Sequence, residues 1–63
     1  MNPAPPLSVA GLETVYDTLT EAIDRAGADK TDLFLVKLAL LQANAIGDPG
    51  RVAELIEAAL KDL

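Results

Sequence analysis

The stretch from Leu33 to Ile46, LFLVKLALLQANAI, contains only three polar residues: Lys37, Gln42 and Asn44. Nothing in it alternates with period two, and Gly47 ends it, so it reads as a single helix. A helix that is apolar on nearly every side must be covered from more than one direction. Setting Leu33 at zero and advancing about 100° per residue separates two apolar arcs. The wide arc holds Leu33, Leu35, Val36, Ala39, Leu40, Ala43 and Ile46. A narrower arc, roughly opposite, holds Phe34, Leu38, Leu41 and Ala45. Lys37 and Asn44 mark one polar strip between them, and Gln42 and Thr31 the other.

The flanking segments supply two more helices. In the leading NPAPP each proline fixes φ and removes a donor, which predicts a flexible proline-rich arm over residues 1–7. Order is expected from Ser8, whose hydroxyl can cap the first turn, with Leu7 and Leu12 spaced as a hydrophobic staple. Leu12, Val15, Tyr16, Leu19, Ala22, Ile23 and Ala26 follow the i, i+3, i+4, i+7 pattern of one helical face, and Gly27 ends it in the left-handed region. Asp29 is the expected cap of the middle helix, with Asp32 in its first turn. Asp48 and Pro49 then open a third helix, with the carboxylate as cap and proline at the first position. Its apolar face is Val52, Leu55, Ile56, Ala59, Leu60 and Leu63, and Glu57 precedes Lys61 in the favourable i, i+4 order. The fold class is all-α, a three-helix antiparallel arrangement forming one domain over residues 8–63.

In a compact triangular bundle, the two neighbours of any helix lie about 60° apart as seen from its axis. The arcs of the middle helix are centred roughly 160° apart, so a compact monomer leaves one of them wet. The wide arc is assigned to the chain's own core and the narrow arc to another molecule. Burying Phe34, Leu38 and Leu41 is worth about 1.5–3 kcal/mol per side chain, comparable to the whole net stability of so small a domain. The preferred expectation is a homodimer, or a tight complex with one protein partner, completed into a helical bundle through Phe34, Leu38, Leu41 and Ala45. The alternative is a monomer whose middle helix is sandwiched between the other two.

Composition narrows the function classes. A 63-residue chain buries only about 60% of the surface its unfolded form exposes, and such chains ordinarily need a staple or a partner. It has no cysteine and no histidine, which excludes a disulfide framework and any zinc, haem or iron–sulfur site built on thiolate or imidazole. Ten acidic against five basic residues give a net charge of −5, which opposes a phosphate backbone and argues against nucleic acid. The first residues lack the basic and apolar regions of a secretory signal, and the run from Leu33 to Ile46 is too short to span a bilayer and carries Lys37. The expectation is a soluble cytoplasmic protein without a membrane role.

Residues with chemical potential are few. Glu13, Asp17, Glu21 and Asp24 make an acidic stripe along helix 1, spaced by four, four and three. One helix face converges poorly on a hard cation, which needs about six oxygens, so the stripe reads as a solvated face or as a docking surface for a basic partner. No metal or other cofactor is expected. The GDPGR turn presents helix amides and Arg51, but Asp48 takes the anion position as a cap, and neither common glycine-rich phosphate loop is present. Ser8 is the single serine, sits at a helix cap and has no histidine base, so nucleophilic catalysis has no machinery. A carrier protein needs a modifiable serine at a helix start, where this chain has DKTDLF. Tyr16 is expected at the edge of the apolar face with its hydroxyl wet, and the Pro-x-x-Pro spacing in PAPP lacks a neighbouring basic residue. No enzymatic activity is expected.

The pattern VYDTLTEAID, then LFLVKLALLQANAIGDP, then VAELIEAAL resembles a family of very short, all-helical bacterial proteins catalogued as a domain of unknown function. The resemblance rests on Tyr16 and Asp17 early in helix 1 and on the turn Ala43, Asn44, Ala45, Ile46, Gly47 and Asp48, and it covers most of the chain beyond Gly11. Where the family tolerates a histidine in that turn, this chain has Ala45. The resemblance carries over no catalytic residue; it implies an accessory or regulatory subunit docking onto a bacterial enzyme, such as a flavin-dependent oxidoreductase. The leading expectation is therefore a small acidic helical interaction module that self-associates through its second helix. The accessory subunit is the alternative, and a binder of small apolar ligands a more distant one.

Overall fold

The described residues of the computed structural model are 6–61 and Leu63. They form three helices, α1 (Val9–Ala26), α2 (Thr31–Ile46) and α3 (Pro49–Leu60), with no strand among the described residues. The chain is all-α. It divides into two units between Thr31 and Asp32, the first carrying α1 and the second α2 and α3 beyond Thr31. Of the expected proline-rich arm, residues 1–5 lie outside the described residues; Pro6 and Leu7 are exposed and belong to no helix.

In the first unit Ser8 is extended, with φ −66° and ψ 167°, and its Oγ accepts the Gly11 amide at 3.0 Å. That bond satisfies one of the amides that every helix start leaves unpaired. Leu7 lies over the same turn, since a methyl group placed on Gly11 would sit 3.4 Å from Leu7 Cδ2. Both Leu7 and Leu12 nevertheless stay more than half exposed, so the expected staple excludes little water. Helix α1 ends at Gly27, whose amide donates to the Ile23 carbonyl at 3.2 Å. Its φ of 90° is positive as expected, but its ψ of 152° places it in the extended mirror region rather than the left-handed helical one. Only glycine enters that region without strain.

The expected cap at Asp29 differs from what forms. Residues 28–30 make a turn closed by the Lys30 amide on the Gly27 carbonyl at 3.0 Å. The Thr31 hydroxyl donates to that same carbonyl at 3.1 Å, and α2 starts at Thr31. Asp29 is thus a turn residue, two positions ahead of the helix. A carbonyl with two lone pairs can accept both donors, so the turn closes without a side-chain cap.

In the second unit α2 ends where Gly47, at φ 75°, turns the chain and donates its amide to the Ala43 carbonyl at 2.9 Å. Asp48 follows as the N-cap of α3, and Pro49 occupies the first helical position, where its missing donor costs nothing. Helix α3 is shorter than expected. Lys61 is its C-cap in extended backbone, so Leu63 lies beyond the helix, 97% exposed. Among the described residues the ion pair on α3 is Arg51 with Glu54, at 3.8 Å, rather than Glu57 with Lys61.

Candidate functional site

None of the described residues is buried, so the organisation of this chain lies in which apolar side chains are half-covered and which remain in water. In the second unit the short connection through Gly47 and Asp48 brings α3 beside one sector of α2. Ala39, Gln42, Ala43 and Ile46 of α2 and Val52, Leu55, Ile56 and Ala59 of α3 line one shallow groove. An adjoining open groove is lined by Leu40, Ala43 and Asn44 on α2, the turn from Gly47 to Pro49, and Val52, Ala53 and Ile56 on α3. Helix α3 therefore adjoins the sector of the wide arc of α2 that carries Ala39, Ala43 and Ile46, with Leu40 at its rim.

The other sector of that arc stays wet. Leu33, Val36 and Leu40 are each more than half exposed, as are Ile56 and Leu60 on α3. The narrow arc, assigned from sequence to self-association, divides differently. Phe34 and Leu38 are half-buried, whereas Leu41 is 68% exposed and Ala45 is also exposed. Coverage around α2 thus differs from the simple division into a core arc and a contact arc. Helical periodicity gives the angle of each side chain about the axis, but not which angles a neighbouring element occupies.

The acidic stripe is laid out on α1 as its spacing requires. Glu13, Asp17, Glu21 and Asp24 are all exposed, on the side of the helix opposite the half-buried Leu19, Ala22, Ile23 and Ala26. Among the described residues no three acidic side chains come together as a metal site, so the carboxylates are separate charges along a wet face. At the N-terminal end of α1 they border an apolar strip. Val9, Leu12, Val15, Tyr16 and Leu19 line a shallow groove together with Glu13 and Asp17, and Tyr16 is exposed. Tyr16 stands at this edge as expected, and Val9, absent from the expected apolar face, joins it through its place three residues before Leu12 and seven before Tyr16.

The remaining candidates have local structural uses. Asp48 Oδ1 accepts the Gly50 amide at 2.9 Å, so the chain's own carboxylate occupies the anion position of the GDPGR turn. Ser8 is engaged as a cap. Among the described residues no helix is long and apolar enough to cross a membrane. No family model matches the chain, and it has no match among curated proteins or solved structures.

Proposed function

We propose that this chain is a small acidic interaction module that self-associates through α2, without catalytic activity, in the cytoplasm. In this reading the helices run antiparallel, and a second copy completes them into a bundle. The acidic stripe Glu13, Asp17, Glu21 and Asp24 is left facing outward, free to meet one basic protein surface, while its sign disfavours nucleic acid.

The observation that supports this reading is a wet α2 in a chain none of whose described residues is buried. Leu33, Val36 and Leu40 on that one helix all stand mostly in water. Large aliphatic side chains clustered on one element mark an interaction surface far more than isolated ones do. A domain of this size has too little net stability to leave several such side chains, worth about 1.5–3 kcal/mol each, without cover.

Sedimentation across micromolar concentrations tests it. Twice the chain mass, falling to the monomer on dilution together with loss of helicity, is the expected result. A fully folded monomer at every concentration that binds no hydrophobic dye would overturn self-association. A folded monomer that does bind such a dye would favour the accessory-subunit reading, in which α2 docks onto an enzyme.

A further inference from the structure

Within the second unit the exposed aliphatic side chains are not scattered. Leu33, Val36 and Leu40 share one edge of α2 within about 60° of arc, and Ile56 and Leu60 share one edge of α3 within about 40°. Leu40 and Ile56 line the same open groove, so the two edges adjoin. One turn farther from the connecting turn on each helix stand Val36 and Leu60. All five are between 56% and 66% exposed.

We infer that this α2–α3 face, Leu33, Val36, Leu40, Ile56 and Leu60, is the surface on which a second copy of the chain seats. The inference rests on the self-association proposed above and specifies the surface that performs it.

Area decides between this face and the narrow arc. Five aliphatic side chains that each leave roughly 100 Å² in water give about 500 Å² per copy and about 1,000 Å² for a twofold pair. That reaches the threshold of a specific interface before backbone and rim are added. The narrow arc has Leu41 as its one large side chain that is mostly in water, because Phe34 and Leu38 are half-buried and Ala45 is small. It cannot supply a comparable area.

Charge favours a second copy as the occupant. By helical position the rim of this face carries both signs, with Lys37 beside Leu33 and Asp32 beside Val36 on α2, and Glu57 beyond Leu60 on α3. A twofold axis repeats every contact in both directions, so a face whose rim carries Lys37 together with Asp32 and Glu57 offers opposite charges to its own copy.

The test uses the full chain. Leu40→Glu and Ile56→Glu should each raise the dimer dissociation constant roughly a hundredfold or more, because each places an unpaired charge in the apolar contact. Leu41→Glu, at a similarly exposed site on the narrow arc, should leave it within about threefold, as surface substitutions do. Where loss of the dimer also unfolds the chain, cross-linking decides. The chain has no cysteine, so Leu40→Cys or Ile56→Cys introduces a single thiol. At least one of the two should oxidise to a covalent dimer in dilute native solution, while Glu21→Cys on the α1 stripe should not. A dimer broken by Leu41→Glu but not by Leu40→Glu would move the contact to the narrow arc, overturning this face while leaving self-association intact. A wild-type chain that is monomeric, with no cross-link from any of these cysteines, would overturn both.

Discussion

Asp48 Oδ1 accepts the amide of Gly50 at 2.9 Å, one residue after Gly47 has turned the chain out of α2. Between them these residues end one helix and start the next, and so determine which sector of α2 adjoins α3. The carboxylate pairs an amide that α3 leaves open, and its negative charge lies at the positive end of the helix dipole. Asp48→Ala should lower stability by about 1 kcal/mol, whereas Asp48→Ser or Asp48→Asn should retain most of it. Urea unfolding followed by circular dichroism measures the difference at fixed chain concentration.

Gly27 and Gly47 both have positive φ, but they are not equivalent. At Gly27 the backbone is extended in the mirror region, φ 90° and ψ 152°, and an added methyl would also sit 3.3 Å from Asp29 Oδ1. At Gly47 φ is 75° and an added methyl meets nothing within 4 Å. Gly27→Ala should therefore cost about 1–3 kcal/mol and Gly47→Ala nearer 1 kcal/mol. Thermal unfolding of the two variants side by side checks the order; equal losses would mean that crowding and backbone region add nothing at Gly27.

The Arg51–Glu54 pair should contribute almost nothing. At 3.8 Å, with both side chains more than half exposed, water and salt screen it. Arg51→Ala should change stability by no more than about 0.5 kcal/mol. A larger loss, insensitive to added salt, would show that Arg51 has a partner other than Glu54.

On α1, Asp17 lies one turn from Glu13 on one side and Glu21 on the other, all three exposed. Like charges at this spacing repel, each pair by about 0.2–0.5 kcal/mol in an isolated helix. Asp17→Lys converts two repulsions into attractions and should stabilise the fold by roughly 1–2 kcal/mol at low ionic strength. The gain should fade at high salt, where the Debye length drops to about 3 Å. If the stripe also docks a basic partner, the same variant should weaken that complex while improving the free chain.

The helix ends were largely legible in the sequence because each is made by atoms a few residues apart. Ser8 reaches Gly11, Asp48 reaches Gly50, and the Gly27 and Gly47 amides reach back four residues. The exceptions are also local. Asp29 and Thr31 compete to start α2, and the Thr31 hydroxyl on the Gly27 carbonyl sets the turn. The end of α3 carries no glycine stop signal, so the apolar spacing alone carried the expected helix on to Leu63, beyond the actual cap at Lys61.

The sequence by itself determined the class of this protein, its three helices and the lack of any cysteine or histidine in the chain. These follow from residue type, hydrophobic period and short-range hydrogen bonding. Only the tertiary structure decided how the apolar surface of α2 is used, leaving Phe34 and Leu38 half-buried and Leu33, Val36 and Leu40 in water beside Ile56. The reason is physical: periodicity states where a side chain points around its own axis, while burial depends on whether another element stands there.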